Sequence, residues 1–134
     1  MSETNYKDMI KELVLVGLGG GVGSMLRYLT SHTAKRFLSY EWLIAGTFIA
    51  NIIGCLLIGV LATLLLKSNN NQYLSLLLIA GFCGGYTTFS AFAFENMQLI
   101  QSEQLLISIL YSLFSILLGI AAVWVGMKLA SVGR

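Results

Sequence analysis

Gly81-Phe82-Cys83-Gly84-Gly85-Tyr86-Thr87-Thr88-Phe89-Ser90-Ala91-Phe92-Ala93-Phe94 lies in a hydrophobic segment long enough to cross a membrane. Adjacent glycines, two threonines and a serine stand where a spanning helix ordinarily carries leucine. Glycine and β-branched residues lower helix propensity, and Thr or Ser can cap a new helix start. The run Gly84-Gly85-Tyr86-Thr87-Thr88 therefore predicts a break, with two half-helices meeting inside the membrane. Such a break survives only where protein or a water-filled cavity satisfies the exposed backbone. Half-helix ends offer freed carbonyls, which suit a small cation, and freed N–H groups, which suit an anion.

The rest of the chain has the composition this reading needs. It has 134 residues, 57% hydrophobic and only 10% charged, and a mean hydropathy of +0.81, outside the usual range of a small soluble domain. About 20 apolar residues cross a hydrocarbon core of roughly 30 Å, which leaves room for four spans and no soluble domain. We expect an all-α membrane protein, residues 1–134 forming a single transmembrane domain with helices at about 13–33, 42–66, 73–94 and 105–128. The polar start Met1-Ser2-Glu3-Thr4-Asn5 is not patterned as a signal peptide, so the first span is expected to be retained. Cys55 and Cys83 fall in apolar segments and read as small hydrophobes rather than as a disulfide or metal pair. A formal charge of +2 with scattered basic residues gives no nucleic-acid footprint.

Residues 1–12 read as a short amphipathic lead-in to span one. In that span Gly17 with Gly21, and Gly19 with Gly23, form GxxxG pairs that let another helix approach. A dinucleotide fingerprint fails, because Val22 takes the third-glycine position and no strand precedes it. Arg27, late in the span, is explained equally by snorkelling and by function. Tyr40 and Trp42 are placed as interfacial anchors of span two. Within that span Gly46, Thr47, Asn51 and Gly54 set one small-polar stripe on a lipid-like cylinder. An unpartnered amide in hydrocarbon is costly, so Asn51 must face protein, water or a ligand, as helix glue or as a pore group.

Lys67 to Gln72 reads as a polar linker. Beyond the break, Phe89, Phe92 and Glu95-Asn96 fall on one helical face, a spacing that packing alone would explain. Their polar neighbours favour a second use, because the positively polarised edge of a phenyl ring can hold an anion without trapping it. Glu95, Asn96, Gln98, Gln101, Glu103 and Gln104 are assigned to the third loop. In span four Ser108, Ser112, Ser115 and Gly119 follow one stripe with Tyr111 beside it, a continuous hydroxyl track. Lys7, Lys11, Lys67, Lys128 and Arg134 lie on one side and Lys35 and Arg36 on the other, so five oppose two and the bias toward termini inside is modest.

Three motifs in order and spacing, Gly19 to Tyr28, Gly46 to Gly54 and Gly81 to Phe92, resemble the successive signatures of the CrcB/Fluc fluoride channel family over essentially the whole chain. The resemblance implies a four-helix subunit with a broken third helix, assembled as an antiparallel dual-topology dimer with two fluoride pores at its interface. It also implies a structural sodium ion, not transported, held at the dimer centre by the backbone carbonyls of Gly84 and Thr87. Phe89 and Phe92 match the paired phenylalanines of the fluoride path, Asn51 the pore asparagine, and Arg27 the basic vestibule residue. Tyr111 and Ser115 match the polar track. Thr88 and Ser90 add donors to the same path. Gly119 stands where some members carry a further serine, and Tyr86 where an aliphatic residue is common.

The implied function is passive, selective export of fluoride across the cell inner (plasma) membrane, which lowers fluoride toxicity. Fluoride enters acidic surroundings as neutral HF and dissociates inside, so a leak suffices. Fluoride is small and strongly hydrated, and a path for it must replace water with several weak donors and release the ion readily. The implied partners are fluoride, membrane lipid and a second subunit, as a homodimer or with a paralogue. A small multidrug-type exporter would need a membrane-buried carboxylate for proton coupling, and Glu12 and Glu95 are expected at span edges. A non-transporting assembly subunit would use the polar stripes as packing glue. With one histidine and no Ser-His-Asp, metal-ligand or paired-carboxylate set, an enzyme is not expected.

Overall fold

The computed structural model describes residues 3–37, 44–65 and 72–132. Tyr40, Trp42, linker residues 67–71 and Arg134 lie outside the described residues. Four stretches, Tyr6–Phe37, Ala45–Leu65, Gln72–Gln101 and Leu105–Val132, are long and apolar enough to cross a membrane. Helix α1 is Glu3–Phe37 and α2 is Ala45–Leu65. The third span comprises α3 (Gln72–Ser75), a π-helical segment (Leu76–Cys83), α4 (Gly84–Tyr86) and α5 (Phe89–Gln101), and α6 is Leu105–Val132.

The third span is broken two residues beyond the double glycine. Gly84 to Tyr86 stay helical, whereas Thr87 (φ −85°, ψ 154°) and Thr88 (φ −150°, ψ 123°) are extended. Thr88 then caps α5, its hydroxyl accepting the Ala91 N–H at 3.2 Å. Gly85 serves contact rather than the break, whereas a Cβ at Gly84 would meet only the Ile79 carbonyl at 4.0 Å. A Cβ at Gly85 would collide with the Gly20 carbonyl, one at Gly19 with the Leu77 carbonyl and one at Gly23 with the Phe82 carbonyl. The Gly19/Gly23 pair is thus the seam against the third span, while a Cβ at Gly17 or Gly21 would meet nothing within 4 Å. A second seam joins α2 to α6, where Gly59 faces the Val123 carbonyl and Gly126 the Leu56 carbonyl. Small residues at such seams let backbones approach and gain dispersion contact, the main source of helix association in lipid.

Two expected boundaries move. α1 is continuous from Glu3, and at 1.5 Å per residue its 35 residues reach about 52 Å, well beyond the hydrocarbon core. The expected lead-in is therefore the first part of the spanning helix itself. α5 runs on to Gln101, so Glu95 and Asn96 belong to a helix and only Ser102, Glu103 and Gln104 form the turn into α6. That turn places Glu103 at φ 62°, with Glu103 N–H on the Ile100 carbonyl (3.1 Å) and Gln104 N–H on the Leu99 carbonyl (2.8 Å).

Candidate functional site

Asn51 holds the break open. Its Nδ2 donates to the Thr88 carbonyl at 3.2 Å and its Oδ1 accepts the Thr88 N–H at 2.8 Å. The amide thus pairs with Thr88 as a neighbouring peptide would, giving the extended backbone the partners a helix would have supplied. This use draws donors away from two carbonyls. In an unbroken helix the Gly84 carbonyl would take the Thr88 N–H and the Thr87 carbonyl the Ala91 N–H. Here those donors go to Asn51 Oδ1 and Thr88 Oγ1 instead. The neighbouring Gly85 carbonyl is approached by Arg27 Nε at 3.2 Å and by Ser24 Oγ at 3.4 Å. Arg27 is therefore joined to the third span just before the break.

An open groove of about 610 Å³ runs beside the break, lined by Asn51, Gly84, Thr87, Thr88, Phe89, Phe92 and Ser115 among others. It collects most of the residues singled out in the sequence. The Ser115 hydroxyl is buried without a hydrogen-bond partner. Thr88 Oγ1 and Ser90 Oγ lie 3.1 Å apart; because one proton serves that contact, the pair keeps one O–H for another acceptor. The Phe89 and Phe92 ring centroids are 5.9 Å apart at 39°, and Phe92 lies 5.0 Å from Tyr111 at 55°. Tilted rings at these separations present edges as well as faces. Phe89 is 79% exposed, although it sits at the middle of a span.

Glu95 and Asn96, assigned from the sequence to a loop, instead organise one end of the site. Glu95 Oε1 accepts from Thr47 Oγ1 at 2.6 Å and its Oε2 from the Tyr111 hydroxyl at 2.8 Å. Glu95 is thus half-buried between α2 and α6 rather than at an exposed span edge. Tyr111 is committed to that carboxylate and, like Ser90, is not among the residues that line the groove; it reaches the site only through its ring contact with Phe92. Asn96 Oδ1 accepts from Ser108 Oγ at 2.7 Å and Ser112 Oγ at 3.0 Å, so the hydroxyl track divides: two serines are bound to Asn96 and Ser115 is left to the groove. The continued spacing of Phe89, Phe92 and Asn96 along one helical face was the signal for this network. The charge of Glu95 and the run of glutamines after it masked that signal. Among the described residues no cluster of three His, Cys, Asp or Glu side chains could hold a metal.

Four stretches long and apolar enough to cross a membrane, the third broken within its length beside a largely apolar groove with a few polar groups, define a multi-pass integral membrane protein. Residues 14–127 match the family described as CrcB-like protein, Camphor Resistance (CrcB), and the chain belongs to that family. Relatives named Fluoride-specific ion channel FluC include three that match over most of their length. The one from Flavobacterium psychrophilum is 48% identical over 122 residues, 90% of this chain and 98% of its own length. Those from Azobacteroides pseudotrichonymphae and Phocaeicola vulgatus are each 42% identical, over 88% of this chain and 94% and 97% of their own lengths. The family is one of ion channels, not enzymes.

Proposed function

We propose that this chain is a fluoride-selective channel of the plasma membrane, working as an antiparallel dimer, homodimeric or with a paralogue, around a structural sodium ion. The observation that carries the reading is the groove at the break. Its lining brings together Ser115, whose buried hydroxyl has no partner, Thr88, which shares a spare proton with the adjoining Ser90, and the Phe89/Phe92 rings, and it includes no Lys or Arg that would trap an anion. Weak donors and ring edges in sequence suit an ion that must shed water and still leave. The names of the relatives support fluoride as that ion.

The dimer is supported by what one chain leaves uncovered. Gly84, Phe89 and Ser90 are exposed at the middle of a span, where lipid would leave polar backbone and hydroxyls unsatisfied. A second copy related by a twofold axis would cover them. The donor set also fits sodium: Gly84 and Thr87, whose carbonyls are deprived of their helical donors, both line the same groove, and freed carbonyls at a helix break are suitable hard-oxygen ligands. When bound, the ion would supply fixed positive charge at the centre; this chain's part is to hold the carbonyls in place through Asn51, Arg27 and Ser24.

A cell that lacks its own fluoride export and expresses this chain alone should accumulate less internal fluoride in acidic medium than the parent cell. Equal accumulation, with the protein present in the membrane, would contradict the homodimer, and its persistence when a paralogue is expressed beside this chain would contradict the function. One observation favours a second reading: half-buried Glu95 supplies the membrane carboxylate that a proton-coupled exporter needs. A proton gradient imposed on vesicles at zero fluoride gradient separates the two when read against protein-free vesicles, in which HF alone follows the gradient. A coupled exporter moves fluoride beyond that level against its electrochemical gradient, and a channel does not.

A further inference from the structure

We infer that Asn96 is a positioning residue of the ion path, one that sets the Phe92 ring and withholds Ser108 and Ser112 from the passing ion; this rests on the channel reading above. The side chain joins three backbone or hydroxyl groups at once. Its Nδ2 donates to the Phe92 carbonyl at 2.9 Å, while its Oδ1 accepts from Ser108 Oγ at 2.7 Å and Ser112 Oγ at 3.0 Å. The amide cannot be turned round, because that would set Oδ1 against the Phe92 carbonyl oxygen, which has no proton to give. The hydroxyl protons of Ser108 and Ser112 must therefore point at Asn96.

Two consequences follow for the path. Residues 95 and 96 are consecutive, Glu95 held by Thr47 and Tyr111 and Asn96 by Ser108 and Ser112, so α5 is fixed to α2 and α6 one turn beyond Phe92. This double hold keeps the Phe92 centroid 5.0 Å from Tyr111. The serine stripe of α6 is also divided: Ser108, 5% exposed, and Ser112 serve the clasp, whereas Ser115, in the groove lining, keeps a buried hydroxyl without a partner. A buried amide that gathers three partners is the kind of network whose members act as a unit.

The test is a cycle of full-length variants in vesicles, reading fluoride and chloride release: Asn96→Leu, the pair Ser108→Ala/Ser112→Ala, and all three together. Each should lower the fluoride-to-chloride ratio by about tenfold, and the triple variant should fall no further than Asn96→Leu, as members of one network couple. A purely structural role would reduce the number of working channels and scale both anions alike, leaving the ratio unmoved; that result overturns the inference. Loss in the serine pair but not in Asn96→Leu would overturn it too, by making the hydroxyls themselves pore donors. If Asn96→Leu does not assemble, Asn96→Ala takes its place in the cycle with the same expected and contradicting results. Failure of the unaltered chain to release fluoride would instead contradict the channel reading, so the two failures are distinguishable.

Discussion

At the scale of single residues, the site depends on which group takes which proton. Asn51 had two readings in the sequence, glue and pore group. The structure gives the first a definite form, since both ends of its amide are bound to the Thr88 backbone. Asn51→Leu should therefore destabilise the folded chain by about 2 kcal/mol or more, because a buried N–H and a carbonyl lose their partners; denaturant unfolding in detergent micelles measures it, and an unchanged midpoint would contradict the assignment. Phe89 and Phe92 had two readings as well, packing and anion edge. Phe89→Ile or Phe92→Ile should reduce fluoride flux by about tenfold or more in protein that still assembles, as expected when the polarised edges are lost and apolar volume is largely kept. Unchanged flux in either variant would reduce that ring to packing.

At the scale of elements, two glycine seams and one break give the bundle its form. The break was legible because Gly84 to Thr88 are poor helix formers in a run of good ones. Its placement at Thr87-Thr88 was not legible, since it depends on Asn51, 37 residues away in sequence, capturing the Thr88 N–H. GxxxG pairs were visible in α1, but sequence spacing could not tell which pair met a neighbour; Gly19 and Gly23 do, and Gly17 and Gly21 do not within one chain. The helical course of Glu95 and Asn96 was hidden because their partners Thr47, Tyr111, Ser108 and Ser112 lie on other spans. Gly126→Ala would push a methyl into the Leu56 carbonyl and should destabilise by about 1–3 kcal/mol through overpacking. By contrast Glu103→Gly should stabilise by about 1 kcal/mol, since Glu103 at φ 62° occupies a left-handed conformation that glycine adopts freely. Thermal unfolding in detergent reads both, and a reversal of either sign would contradict the corresponding backbone geometry.

At the scale of the whole molecule, the proposed assembly is a dimer. The four spans of one chain pack on each other, yet the most polar part of the third span and the Phe89 ring remain uncovered. Paired with a second copy, the Gly84 and Thr87 carbonyls would meet their symmetry mates and make a seat for sodium. Reconstitution in sodium-free buffer should then weaken the dimer, read as monomer released on size-exclusion chromatography; indifference to sodium would remove the cation seat while leaving the anion path. The modest five-to-two loop charge bias accommodates insertion in both orientations, which an antiparallel homodimer requires. The central claim is selective fluoride conduction through the groove at the break. It is tested most directly in vesicles loaded with fluoride or chloride and made permeable to potassium by an ionophore. Fluoride should leave the vesicles rapidly while chloride stays inside; equal release of the two anions, or of neither, would contradict it.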